Sequence, residues 1–272
     1  MDSQVPIRDP TENDLLVEFE RQHIPGHYKP FYILKRHNLF VTIQQFPYIW
    51  NCFMRLDKIA LREFEVMQRL RDLYLVLPMV LLMNAQAKVR FAFELACSTA
   101  VPEAHSILRD AIESAAHGHR LASDPQLLKP WLEKNDSEVA KKVFGKEFEY
   151  EKAARLFDGL PELHRLWKQF SEFGSHININ SILSRFEINQ TAADMEYRLN
   201  YTGVSDAKLF VMALFEMVLA FGKIENVIFK LGKDRLQLDH ELTTMRARYE
   251  AEREAVQQRI IRSFRVQPPS IP

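Results

Sequence analysis

The sequence contains little glycine, little cysteine and no excess of charge of either sign. Eight glycines in 272 residues argue against an all-β fold, because such folds need frequent turns. The two cysteines, Cys52 and Cys97, lie far apart and form no CxxC pair, which indicates reduced thiols in a cytoplasmic protein. Lys plus Arg and Asp plus Glu each total 36, so no overall field attracts nucleic acid or anionic lipid. A balanced total still allows a charged patch on one part of the surface.

The sequence also lacks a long uninterrupted apolar run and a signal peptide. Residues 1–16 are polar and acidic, whereas a signal peptide begins with basic residues and continues with apolar ones. The apolar runs at 73–83 and 209–221 are shorter than the roughly 18 residues that span a bilayer. We therefore expect a cytoplasmic protein without a membrane partner.

The motifs of several enzyme classes are missing. The sequence has no HExxH, no CxxC, no phosphate-binding glycine loop and no GxSxG elbow. These absences exclude the nucleotide-hydrolase and α/β-hydrolase classes. We expect neither a metal ion nor a cofactor.

Long amphipathic segments predict a mainly α fold, a helical bundle with a long C-terminal helix. Residues 47–96 keep helical spacing and predict one long helix kinked at Pro78, or two helices in line. The chain divides into an irregular, proline-containing N-terminal arm (1–46), a bundle domain (47–232), a C-terminal helix (233–264) and a tail (265–272).

The period of the pattern changes within the bundle domain. Between residues 182 and 201, apolar and polar residues alternate in two runs, which is typical of half-buried strands. Residues 190–194 between the runs suit a hairpin loop. The sequence therefore predicts a β-hairpin at about 182–201.

The C-terminal helix carries apolar residues at heptad-like spacing among many arginines and glutamates. The residues at this spacing are Leu238, Leu242, Met245, Tyr249 and Val256. Helices with such a stripe pack along a partner helix. We expect a homo-oligomer, in the first instance a homodimer, that uses this helix.

The densest set of titratable side chains lies on the helix predicted over 101–122. A polar row at four-residue intervals consists of His105, Arg109, Glu113 and His117. Residues at this spacing stack along one side of a helix, here beside an apolar stripe. The row is a candidate binding or catalytic surface.

A second polar group closes the helix predicted to begin at Pro161, and it comprises Ser171, Ser175 and His176. If the two helices are neighbours, Arg109 could bind a phosphate while His176 transfers a proton. Alternatively, Arg109 and Glu113 form an i,i+4 ion pair on a solvated face, and His176 satisfies a helix end.

Glu216 is a single carboxylate within the apolar run 209–221. Such a group either pairs with an arginine or histidine, or its pKa rises until it is neutral. We favour a structural partner such as an arginine over a catalytic role.

Three short patterns carry a family resemblance. ILRDAIE at 107–113 is followed by Asp-Pro at 124–125 and later by SEFGSH at 171–176. In this order they resemble bacterial helical proteins related to the HEPN superfamily, over about residues 65–230. The superfamily includes RNases and toxins of defence systems, so the resemblance implies a helical bundle and an action on RNA.

Catalytic members of that superfamily place an arginine four to six residues before a histidine. That spacing occurs here at Arg235 and His240, and also at Arg21 and His27, whereas Arg109 and His117 are farther apart. The departure at the polar row puts an inherited nuclease activity there in doubt.

Three functions fit these features. The first is a non-enzymatic binding or regulatory protein of a bacterial stress or defence system, with a groove at Arg109 as its binding surface. The second is a metal-independent RNase in which His176 or His240 is the acid-base and Arg109 or Arg235 holds phosphate. The third is an oligomeric scaffold.

Overall fold

The computed structural model describes residues 23–67, 72–149, 154–174, 186–190, 195–199, 206–235 and 240–265. The helices are α1 (Lys29–Gln45), α2 (Pro47–Met67), α3 (Leu73–Cys97), α4 (Val101–Ser123), α5 (Leu128–Leu132), α6 (Glu138–Glu147), α7 (Pro161–Gly174), α8 (Ala207–Arg235) and α9 (His240–Arg265). Two 3-10 turns, Pro125–Leu127 and Ala154–Phe157, join α4 to α5 and precede α7. The prediction of a mainly α fold is confirmed.

Helices α2 and α3 lie antiparallel and pack against each other. The ring of Phe53 stacks on Phe93 with centroids 3.8 Å apart, near the start of α2 and the end of α3. Gln86 and Glu63 meet toward the opposite ends. The prediction of one long helix or two helices in line is therefore wrong.

The prediction of continuous helix failed because the spacing of apolar residues indicates which residues are buried. It does not indicate where the chain changes direction. The signal for the turn is Asp72, whose carboxylate accepts a hydrogen bond from the backbone N–H of Tyr74 at 2.9 Å and caps α3. Pro78 lies inside α3 rather than between two helices.

Helix α4 turns back along α3, and α7 packs on the other side of α4. Asn84 Nδ2 donates to Ser114 Oγ at 3.1 Å, and a Cβ at Gly118 would lie 2.8 Å from the carbonyl oxygen of Pro78. The absence of a side chain at Gly118 lets the two helices approach closely at this point. On the α7 side, the ring of His105 lies 5.1 Å from that of Phe170.

Helix α9 folds back against α2 and α8. Its apolar residues Leu242, Tyr249, Val256 and Ile260 are buried within the chain. The face that was predicted to contact a second copy is thus occupied by the protein itself, because α2 and α8 leave a groove that α9 fills. Leu238 lies outside the described residues.

The N-terminal segment differs from the prediction of an irregular arm. Residues Lys29–Gln45 form helix α1, with Pro30 in its first turn, where a missing N–H breaks no helical hydrogen bond. Proline was therefore a helix start here and not a sign of irregular chain.

The region predicted to alternate contains two paired strands. Phe186–Gln190 (β1) and Met195–Leu199 (β2) are antiparallel, with Phe186 opposite Leu199 and Gln190 opposite Met195. Residues 191–194 between them lie outside the described part of the chain.

Among the described residues, one helix is long and apolar enough to cross a membrane by length and composition. It is the stretch Tyr74–Cys97 of α3, with a mean hydropathy of 1.3 in its most apolar window, and 44% of that window is buried inside the bundle. Core helices of soluble proteins meet the same criterion, so the finding is weak evidence for a span.

Candidate functional site

The two histidines of the predicted polar row are packing residues. His105 is buried against Phe170, and burial lowers its pKa to about 4. The ring of His117 stacks on Phe148 at 5.0 Å, and its Nδ1 accepts a hydrogen bond from Trp131 Nε1 at 3.0 Å. Burial, with the nearby charge of Lys134, lowers the pKa of His117 to about 4 as well. Both imidazoles are therefore neutral near pH 7.

Arg109 and Glu113 contact each other and one indole ring. Arg109 Nη2 lies 3.6 Å from Glu113 Oε2, and its guanidinium carbon is 5.1 Å from the centroid of the Trp167 ring. Trp167 Nε1 donates to the same Glu113 oxygen at 3.4 Å. A further ion pair joins Arg109 to Asp110 at 3.7 Å. These contacts are those of an i,i+4 ion pair between Arg109 and Glu113. Trp167 of α7 adds a cation–π contact to the arginine and a hydrogen bond to the glutamate.

The structure brings α4 and α7 together, as the predicted site requires. Among the described residues, α7 contacts α4 through Trp167 and Phe170. Ser171 donates its hydroxyl hydrogen to the carbonyl oxygen of Trp167, within its own helix, at 2.7 Å. Ser175 and His176 lie outside the described residues, so the predicted meeting of Arg109 with His176 is not placed.

Glu216 is half-buried, and its hydrogen-bonding partner is a glutamine. Gln169 Nε2 donates to Glu216 Oε1 at 3.0 Å. Burial raises the pKa of Glu216, against the opposing effects of this hydrogen bond and of the charge of Arg165. The expected arginine or histidine partner is therefore wrong. The partner is the side-chain amide of Gln169, which connects α7 to α8.

His240 is the first residue of α9 and is exposed, with its Nδ1 3.5 Å from Thr244 Oγ1. Arg235 ends α8, and residues 236–239 between them are outside the described chain. The structure therefore places the histidine of this pair at the surface, while the side chain of Arg235 lies outside the described part of the protein.

The sequence prediction missed a buried polar cluster to which four helices each contribute one residue. It consists of Glu63 of α2, Gln86 of α3, Glu225 of α8 and Arg246 of α9, and the first three are at most 3% exposed. Gln86 Nε2 donates to Glu225 Oε1 at 2.9 Å, and Arg246 Nη1 lies 3.5 Å from Glu63 Oε1. Arg246 also donates to the carbonyl oxygen of Glu225 at 3.3 Å.

The two carboxyl groups of this cluster are both buried and lie close enough for each to affect the pKa of the other. Burial and the adjacent Glu225 hold the pKa of Glu63 well above its ordinary value, while Arg246 opposes this rise. Burial also raises the pKa of Glu225, against the hydrogen bonds from Glu63 and Gln86. Burial in the cluster therefore favours the protonated form of Glu63 over that of an exposed glutamate.

A sequence signal for the cluster existed. Glu225 lies on the same helical face as Phe221, Ile224 and Ile228, all of which are buried. A carboxylate inside such a stripe must find a buried partner. Glu216, which is less deeply buried, is visible in the sequence because it interrupts a contiguous apolar run. Glu225 interrupts only the apolar face of its helix, which is harder to recognise in the sequence.

Two segments that meet at one end of the bundle carry basic residues and no acidic ones, although the whole chain is neutral and neighbouring helices supply Glu94 and Glu252 as partners of Lys35 and Arg55. Residues 23–56 contain Lys29, Lys35, Arg36 and Arg55 and no acidic residue, and residues 255–265 contain Arg259, Arg262 and Arg265 and no acidic residue. The guanidinium carbon of Arg259 lies 4.1 Å from the Tyr48 ring centroid, which joins the end of α9 to the start of α2. We call residues 23–56 and 255–265 the basic end.

The basic end also has a surface groove and exposed apolar side chains. The groove runs beside α9, has a volume of about 610 Å³ and is lined by Gln258, Arg259, Arg262 and Ser263 together with Ala251, Glu254 and Ala255. The exposed apolar residues within α1 and directly before it are Tyr28, Phe31, Ile33, Leu34 and Phe40. The two segments that form this end of the bundle thus supply both basic and exposed apolar side chains.

Within the described ranges, no group of three or more His, Cys, Asp or Glu side chains is placed to hold a metal ion. No protein-family model, curated protein or solved structure matches this chain.

Proposed function

We propose that this chain is a non-catalytic binding protein that attaches to an anionic partner through its basic end. The observation that carries the proposal is the contact between Arg259 and Tyr48, which brings two segments without acidic residues to one end of a chain with no net charge. Segregated positive charge of this kind attracts polyanions, even where total charge is zero.

The contacts of the polar row support moving the binding surface away from Arg109. Its guanidinium is engaged by Glu113, Asp110 and the Trp167 ring. The flanking imidazoles of His105 and His117 are packed and neutral near pH 7, so they offer no positive charge to a ligand. A role in a bacterial stress or defence system, suggested by the resemblance to HEPN proteins, remains part of the proposal.

The test is salt-dependent binding of the full chain to heparin and to polyuridylate. We expect binding that weakens steeply as salt rises, because each neutralised phosphate or sulfate releases counterions. Arg259→Gln/Arg262→Gln should weaken binding and flatten the salt dependence. Lys141→Gln/Lys142→Gln, which removes two exposed charges from α6, is the matched control. Equal weakening by both double variants would contradict the proposal.

A metal-independent RNase is the second candidate. The exposed position of His240 at the start of α9, five residues after the arginine that ends α8, favours it. Purified protein would then cleave RNA without added metal, and His240→Ala would lose that activity. Absence of cleavage by folded wild-type protein on several RNAs would leave the binding function.

A homo-oligomer also remains a proposal, but it needs another surface than the apolar stripe of α9. Leu242, Tyr249 and Val256 are buried inside the chain. Light scattering of the purified protein measures the mass directly.

A further inference from the structure

Helix α1 combines exposed apolar side chains with basic residues and no carboxylate. We infer that α1 docks the protein on the surface of an anionic lipid bilayer and lies in the interface between headgroups and acyl chains. This inference rests on the proposed function, because it names the anionic partner of the basic end. It concerns attachment to one leaflet and not a membrane span.

The exposure of α1 is the first observation. The structure describes all 17 residues of this helix, and Thr42 alone is buried. Ile33 is 60% exposed, Phe40 54% and Leu34 44%. At 1.5 Å per residue the helix is about 25 Å long, so it presents several turns of apolar surface to a planar partner.

One side of α1 is attached to the bundle and the other faces outward. Asn38 Nδ2 donates to Thr99 Oγ1 at 3.0 Å, and Lys35 Nζ lies 3.7 Å from a carboxylate oxygen of Glu94. Ile33 and Phe40 are seven residues apart and share the face roughly opposite to Asn38. The anchored side fixes the helix, and the outward side is available to a membrane.

The charge of the segment complements an anionic surface. Residues 23–45 contain no acidic residue, and Lys29 and Arg36 share the side of Ile33 and Phe40, whereas Lys35 lies on the anchored side and pairs with Glu94. Basic residues near an anionic leaflet each contribute to attraction, and apolar side chains between them enter the interface. The groove along α9 with Arg259 and Arg262 adds further positive charge at the same end of the bundle.

Lipid fits this surface better than nucleic acid does. Single-stranded nucleic acid is held by aromatic rings that stack on bases and by charges that follow the backbone. On α1 the exposed rings of Phe31 and Phe40 are interleaved with Ile33 and Leu34, which are aliphatic and project from the helix. Such side chains gain free energy by leaving water for an acyl-chain boundary, which a polynucleotide does not provide.

The experiment is flotation of the full chain with phosphatidylcholine vesicles, with and without about one third phosphatidylserine. We expect the protein to float only with the anionic vesicles. Ile33→Ser/Phe40→Ser should lower the partition coefficient at least roughly tenfold, since two apolar groups no longer insert. Lys29→Gln/Arg36→Gln should lower it roughly twentyfold. Leu132→Ser/Val139→Ser, which changes two exposed apolar residues outside α1, is the matched control and should leave it unchanged.

The outcomes separate this inference from the proposed function. Binding to heparin or polyuridylate without binding to anionic vesicles overturns the lipid inference and leaves the binding function intact. Binding to neither overturns both. Vesicle binding that Ile33→Ser/Phe40→Ser does not reduce, with folding verified by circular dichroism, overturns the role of α1.

Discussion

The phenol oxygen of Tyr249 lies 2.5 Å from the position that a Cβ would take at Gly222. Tyr249 comes from α9 and Gly222 from α8, and the ring is buried between them. Glycine at 222 therefore permits α9 to lie in its groove, and the site reports directly on how tightly the last helix docks.

Gly222→Ala should destabilise the protein by about 1 to 2 kcal/mol, since the clash with the hydroxyl outweighs the better helix propensity of alanine. The Tyr249 hydroxyl is buried without a hydrogen-bond partner among the described residues, so Tyr249→Phe should be nearly neutral. Urea unfolding of both single variants and the double variant measures the coupling. If Tyr249→Phe does not recover stability in the Gly222→Ala background, the contact is not the cause.

The raised pKa of Glu63 predicts a loss of stability in alkali. Because the pKa of Glu63 is raised in the folded chain, the unfolded chain releases its proton first, and the free energy of unfolding falls as pH rises above 4.5. Glu63→Gln has no such proton and still offers a donor to Glu225. Its stability relative to wild type should increase from pH 5 to pH 9 in urea titrations. The control is Glu138→Gln, at a side chain that is 82% exposed.

The buried histidines predict that the free energy of unfolding also falls when the pH is lowered into the acid range. The pKa of His105 is about 4 in the folded chain against an ordinary 6.5, so the unfolded chain binds the proton first as pH falls through this interval. A difference of this size corresponds to about 3 kcal/mol of unfolding free energy, which is lost between pH 6.5 and 4. His105→Leu should retain more of its stability at pH 5 than wild type does, relative to pH 7.5. An unchanged loss in thermal or urea unfolding would mean that His105 does not contribute.

Glu147 binds two arginines and is a structural anchor for α6. Its carboxylate accepts from Arg120 Nη2 at 2.6 Å and from Arg155 Nη1 at 2.9 Å, and its side chain is 8% exposed. Glu147→Ala should cost about 3 kcal/mol, since it leaves guanidinium groups without their counter-charge. Glu138→Ala, from an exposed pair with Lys141 on the same helix, should cost less than about 1 kcal/mol. Similar losses in chemical denaturation would show that burial adds nothing to the interaction.

Much of the local structure could be predicted from residue spacing. Leu108, Ala111 and Ile112 of α4 are completely buried, as their three- and four-residue intervals indicate. The same helical spacing of apolar residues also predicted that the fold is a mainly helical bundle. It succeeds because each helix must bury one stripe whatever its partner is.

The partners could not be predicted, because spacing contains no information about which stripes meet. The antiparallel packing of α2 on α3 and the docking of α9 on α2 depend on contacts between residues far apart in sequence. The candidate site was misread for the same reason. His117 looked like a titrating group on its helix, and only its neighbours Trp131 and Phe148 show that it is part of the packing.

The position of α9 has a consequence for how the protein is made. Helix α2 leaves the ribosome long before α9, yet Glu63 meets Arg246, and Tyr48 meets Arg259, only after α9 has been synthesised. Until then the apolar face of α2 and the carboxyl group of Glu63 lack part of their native environment. Pairings between distant segments slow folding, so the nascent chain exposes this apolar surface until α9 has emerged.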